Sequence, residues 1–144
     1  NVDVTSGLRH HPLENVFRLV FTILAILITG ANFGLVMIYQ TVSVFFAHFS
    51  HANIRLPEKI EYFISFIFVT PRFHRIHHHF MQPHTDSNYG NIFSFWDYIF
   101  KTKKDFENSK KIRYGVDTHM DKEEISSLIN LLTIPFQPYR SPQK

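Results

Sequence analysis

The 144-residue sequence predicts an all-α chain built as a membrane-embedded helical hairpin, an interfacial amphipathic helix and a cytoplasmic cap of short helices and loops. Three observations carry that prediction. The 36 residues between Arg18 and Arg55 contain no Lys, Arg, Asp or Glu. An apolar stripe, Ile60, Phe63, Ile64, Ile67 and Phe68, then recurs at i, i+3, i+4, i+7 and i+8, the period of one helix face. Two close-set histidine groups, His48-Phe-Ser-His51 and His74-Arg-Ile-His77-His78, flank that stripe.

Residues 1–14 are polar and turn-like, and Pro12 with Glu14 suits the first turn of a helix. From Val16 to Thr29 nearly every residue is apolar; Arg18 lies close enough to the end to snorkel. Gly30-Ala-Asn-Phe-Gly34 interrupts, and the apolar run resumes from Leu35 to Phe49. A single helix through all 36 uncharged residues would be about 54 Å long against a hydrocarbon core of about 30 Å. Two helices joined near Gly30–Gly34 fit better. Both ends of such a hairpin emerge on one side, so His10 and His11 share a face with His48 and His51. Flanking Lys and Arg residues mark that face as cytoplasmic. A buried hairpin in a soluble protein is the alternative, since each half is short for a span.

The stripe after Pro57 predicts an amphipathic helix over 57–69, stopped by Pro71. Core packing explains the stripe as well as interfacial binding does; its place between an apolar hairpin and a histidine group favours the interface. Residues 101–124 read as charged loop, and Glu123 to Leu132 as a short helix ended by Pro135. The domain plan is one partial domain over 1–144: hairpin 15–50, interfacial helix 57–69, histidine-box cap 71–105 and polar cytoplasmic tail 106–144.

Composition narrows the function. Residues 1–50 carry two basic and two acidic side chains, and 101–144 carry nine and six. The tail mixes both signs and lacks a basic run with interleaved aromatics, which excludes a nucleic-acid partner. The absence of cysteine excludes disulfides and thiolate-bound zinc or iron–sulfur sites, and fits a reducing compartment. Imidazole binds iron, copper, zinc or nickel, and side chains at i, i+3 and i+4 share a helix face. His74, His77 and His78 therefore form a candidate ligand set, met by His51 and His48 from the hairpin. His79, His84 and His119 lie off that face and read as exposed or structural. A zinc hydrolase is disfavoured because no HExxH motif exists. A nonenzymatic metal-binding or transport protein would want ionisable residues inside the hairpin, where only scattered neutral ones such as Thr22, Asn32 and Gln40 occur. An inactive structural remnant is the remaining alternative.

Several segments together resemble the fatty acid hydroxylase/sterol desaturase superfamily. They are Thr70-Pro-Arg-Phe-His-Arg-Ile-His-His78, Asp86-Ser-Asn-Tyr-Gly90, Phe95-Trp-Asp97 and Phe100-Lys-Thr102. Leu8-Arg-His-His-Pro-Leu-Glu14 and His51-Ala-Asn-Ile-Arg-Leu-Pro57 resemble the preceding segments of bacterial members, and the likeness runs on through Tyr114-Gly-Val-Asp-Thr118. The resemblance implies a membrane oxidoreductase with two iron ions bound by histidines in a cytoplasmic cap. It further implies dioxygen as oxidant, a lipid substrate and an electron-donor protein of cytochrome b5 or ferredoxin type. Carried over by position, His51, His74, His77 and His78 look like metal ligands. His48 joins them where a second histidine precedes the first by one turn, a feature that varies among members. Asp86, Asn88, Tyr89, Trp96 and Asp97 look like supports that orient the ligands or brace the fold, and a plain turn or core role is equally open to Tyr89 and Trp96.

The sequence also departs from the family pattern. Two further histidine boxes, an HxxxH type and another HxxHH, are expected upstream and neither is present. The chain is expected to begin just after the second, so that these residues alone form an incomplete and inactive site. His10 and His11 lack box spacing and read as near-site or structural. Lys101 stands where bacterial members commonly have glycine.

Overall fold

The computed structural model describes residues 3–5, 7, 10–105, 112–115, 118–119, 121–138 and 140–141. Of the segments singled out above, Val2, Ser6, Leu8, Arg9, 106–111, Val116 and Asp117 lie outside the described residues. Among those described there is no strand, only two isolated bridges, Phe68 with Phe93 and His79 with Tyr114. The fold is all-α, as the sequence predicts.

Helices α1 (Pro12–Thr29) and α2 (Phe33–His51) form the apolar hairpin. Pro12 occupies the first turn of α1, where its missing N–H costs nothing, and His11 caps that turn by accepting from the Leu13 N–H. Gly30 ends α1 at φ 66°, with its N–H donating to the Ile26 carbonyl; this left-handed cap is open to glycine without a Cβ clash. Asn32 then caps α2 by accepting from Leu35 N–H. These caps explain why 36 uncharged residues break into two helices rather than one. At 18 and 19 residues each is about 27–28 Å long, close to the hydrocarbon thickness of about 30 Å.

No residue of α1 is buried, and in α2 only Ser50 and His51 are. Leu27, Ile28 and Phe33 at the turn are 73–83 % exposed. A core helix of a soluble protein would hide such side chains; these two present them outward, as contact with lipid or other membrane helices requires.

Helix α3 (Glu58–Ile64) is shorter than the amphipathic helix expected over 57–69. Beyond Ile64 the chain turns so that Phe68 pairs with Phe93 and stacks on Phe46 of α2 at 5.4 Å. Tertiary contacts therefore end the helix well before Pro71. That proline instead opens α4 (Pro71–His77), whose N-cap is Thr70. The small core gathers at this junction: Val69, Thr70, Pro71, Phe73 and Ile76 are buried. The Thr70 hydroxyl donates to the buried Glu61 carboxylate, fastening α3 to the start of α4.

Helix α5 (Phe95–Ile99) precedes Lys101, which sits at φ 58°. This left-handed conformation strains a residue with a Cβ by about 1–2 kcal/mol, so the position favours glycine on physical grounds. Lys101→Gly is expected to stabilise the fold by up to about 1 kcal/mol, after glycine's greater unfolded-state entropy is counted; chemical denaturation of the two proteins would measure it. In the tail, the single helix expected from Glu123 to Leu132 is two, α6 (Lys122–Ser126) and α7 (Leu128–Thr133), followed by a 3-10 turn at Ile134–Phe136. Ser127 is extended (φ −88°, ψ 123°) and its hydroxyl caps α7, so the chain restarts there.

Candidate metal centre

Three imidazoles converge where α2 meets α4. His51 is the last residue of α2, His74 lies within α4, and His78 caps its end. The i, i+4 spacing stacks His74 and His78 on one face. Their Nε2 atoms are 3.1 Å apart, and they lie 3.3 and 3.1 Å from the His51 Nε2. Such edges are what three ligands about 2.0–2.1 Å from one shared ion subtend.

The chemistry of the donor set fits a cation. The His51 Nδ1–H donates to the Ala47 carbonyl at 2.7 Å, which leaves Nε2 as a bare lone pair. Burial, reinforced by the neighbouring imidazoles of His78, His51 and His77, holds the His74 pKa well below its ordinary value. Burial first, then His51 and His77, lower that of His78 to about 4. Both rings are therefore neutral near pH 7, the form that ligates. The Nδ1 atoms of His74 and His48 are buried without a hydrogen-bond partner; with Nε2 of His74 turned to the cluster, its ring proton sits on that Nδ1.

His51, His74 and His78 form the group whose ligand atoms lie mutually within 4.8 Å. The other two expected ligands flank it. The His77 ring is 5.5 and 5.4 Å from those of His74 and His78, and its Nδ1 donates to the Ser87 carbonyl at 2.8 Å. Its Nε2 is thereby the nitrogen left for a ligand. His48 sits one turn before His51 and lines the groove between α1 and α2. Of the adjacent pair, His10 bonds the Gly7 carbonyl and pairs with Glu14, and His11 caps α1.

The expected supports act on backbone more than on imidazoles. Asp97 is buried and accepts from Tyr89 N–H (2.8 Å), Gly90 N–H (2.9 Å) and the Thr102 hydroxyl (2.6 Å). Asn88, at φ 52°, donates to the carbonyls of Phe73 and Lys104 and accepts from Lys104 N–H. Together they pin the 87–90 segment against α4, and that segment carries the Ser87 carbonyl that orients His77. Tyr89 lays its ring 5.6 Å from that of His77. Trp96 packs between Phe95 and Phe100, at ring distances of 4.7 and 6.1 Å. Asp86 is exposed and accepts from the Gln82 side-chain amide at 2.7 Å rather than from a histidine.

Two elements escaped the sequence reading. Arg75, between the box histidines, donates to the carbonyls of Ala52 and Ile54 and to Asn53 Oδ1 at 3.0–3.3 Å. It thereby clamps the exit of α2, and His51 with it, to α4. Gly7 lies against the His51 ring, where an added Cβ would stand 3.2 Å from Nδ1. A cation amid ligands was the only signal for the first, and nothing in the sequence marked the second.

The fold and site thus define a class: a hairpin of membrane-spanning length whose end carries a cluster of neutral imidazoles able to hold a metal ion. Residues 1–102 match the family model described as fatty acid hydroxylase, and the chain belongs to that family. The family is of oxidoreductase type and places the chain among membrane proteins. No solved structure matches the chain significantly.

Proposed function

We propose that the complete protein is a membrane-bound, nonhaem diiron oxidoreductase that uses dioxygen to hydroxylate or desaturate a lipid of sterol or fatty acyl type. The observation that carries this reading is the convergence of the His51, His74 and His78 Nε2 atoms at the end of an apolar hairpin. His77, oriented by Ser87, and His48 are the next ligands. Two irons together want more ligands than these five residues provide, and the remainder belong to the further histidine boxes that the family resemblance implies.

Bound iron would supply dioxygen reduction and hydrogen removal from an unactivated C–H bond. The residues of this chain do the rest. Burial keeps His74 and His78 in the ligating form. Arg75 fixes the exit of α2 to α4, and Asn88 and Asp97 hold the 87–90 segment that orients His77. The groove between the hairpin helices, about 1290 Å³ and lined by residues such as Phe17, Phe21 and Tyr39, exceeds the roughly 300–1,000 Å³ of small-ligand pockets and has room for a lipid chain. Electrons come from a cytochrome b5- or ferredoxin-like partner.

Incubating the iron-loaded complete protein with lipid, dioxygen and a reductant should give a product one oxygen atom heavier or two hydrogen atoms lighter. Iron-dependent binding without either product would leave a metal-binding protein instead. We place the metal cap on the cytoplasmic side, since basic residues flank that end. Single-cysteine variants Asn32→Cys and Glu58→Cys should then react with impermeant reagent from opposite sides of the membrane, Glu58→Cys from the cytoplasm. Labelling of both from one side would end the hairpin topology.

A further inference from the structure

We propose that Leu128–Phe136 is a membrane-surface anchor, seated at the phospholipid headgroup–acyl boundary beside the open end of the hairpin. The segment lies beyond the family match, which ends at residue 102, and the sequence reads it as part of a polar tail. The structure gives it another character. At 3.6 residues per turn, Leu128, Ile129, Leu131 and Leu132 fall within an arc of about 160°, with Asn130 and Thr133 on the remainder. All four apolar side chains are exposed, Leu128 and Ile129 by 69 and 73 %, and Phe136 in the following turn is 73 % exposed.

Its position commits this face to lipid. His11, the N-cap of α1, uses Nδ1 to accept from Leu13 N–H, so its ring proton is on Nε2 and donates to the Leu132 carbonyl at 3.1 Å. Pro135 lines the same groove as His10, His11 and His48. The segment is thus tied to the end of the hairpin where α1 begins and α2 stops, and its exposed apolar arc lies next to the exposed apolar helices of that hairpin. Its polar groups are retained by local partners: Asp121 and Ser127 cap α6 and α7, and Arg140 pairs with Glu124 at 2.7 Å. A short helix with one apolar face, held at the level of the bilayer surface, lies in the interface plane. There Pro135 stands at the wall of the groove between the hairpin helices.

The inference rests on the membrane reading of the hairpin, and the test separates the two. Spin labels are placed on single cysteines at Ile129, Phe136, Leu27 and Glu123 of the complete protein, with any cysteines elsewhere replaced by serine. In phospholipid nanodiscs, collisions with dioxygen, which partitions into lipid, are compared with those of a water-soluble nickel chelate. Ile129→Cys and Phe136→Cys should favour dioxygen several-fold, as Leu27→Cys does, while Glu123→Cys favours nickel. If Leu27→Cys reports lipid but the two tail sites favour nickel, the segment is a solvated tail and the proposal fails alone. Shielding of both tail sites from both reagents would mean a protein surface covers them, which also overturns it. Nickel access at Leu27→Cys would remove the membrane reading and the anchor with it.

Discussion

Alanine at His74 or His78 is expected to strip most of the iron from the complete protein and abolish lipid oxidation. Each change deletes one of three nitrogens that face each other at 3.1–3.3 Å. Losing only a hydrogen bond behind a ligand weakens metal affinity about 10–100-fold, so losing the ligand itself should cost at least the upper end of that range. His77→Ala should act similarly if its free Nε2 is a ligand. His48→Ala decides whether the unpartnered nitrogen one turn earlier belongs to the site. His119→Ala is the control, because that ring bonds Thr118 and Gln137 in the tail. Iron analysis of folded variants gives the answer. Normal iron and activity in the His74 and His78 variants would make the cluster structural and the diiron reading wrong.

Asp97→Ala is expected to be the most destabilising single change in the cap. The carboxylate is 2 % exposed and removing it orphans two backbone N–H groups and a hydroxyl. At about 1–3 kcal/mol for each unpaired buried group, a loss on the order of 3–5 kcal/mol follows, in the range that marks a broken buried network. Asp97→Asn should be milder, because one oxygen survives while the amide nitrogen meets a donor. Denaturant unfolding monitored by Trp96 fluorescence would measure both. Alanine within about 0.5 kcal/mol of the parent, the range of inert surface changes, would show that the clasp is not structural.

Much of this architecture was legible because its signals are periodic or conformational. Apolar runs set α1 and α2, Gly30 and Asn32 marked their break, and i, i+4 spacing paired His74 with His78. Pro71 was harder: a proline ends one helix or opens the next with equal ease, and the side-chain cap at Thr70 decided for opening. The length of α3 was hidden because the stripe at Ile67 and Phe68 serves a nonlocal pairing with Phe93, which periodicity cannot register. Serine is compatible with a helix interior and with a cap, so the division at Ser127 was equally silent. At the site, ligand types were readable and their orientation was not. The atoms that aim His51 and His77 are the carbonyls of Ala47 and Ser87, which every residue possesses.

His51 is the final residue of a helix of membrane length, and this fixes the address of the cluster as a counted distance. Each residue of α2 adds about 1.5 Å of height but also about 100° of rotation. Lengthening or shortening the helix by one residue would swing His51 away from α4 before it usefully changed its depth. Whole-turn steps alone preserve the facing, and two full turns, seven residues, move the ring by about 10 Å. The depth of the cluster is therefore quantised by helical pitch, and finer adjustment falls to tilt. Under the proposed lipid-oxidising function, lipids of different chain length would meet the same fixed altitude, and the atom brought beside the histidines would be set by registration against a ruler as much as by recognition of shape.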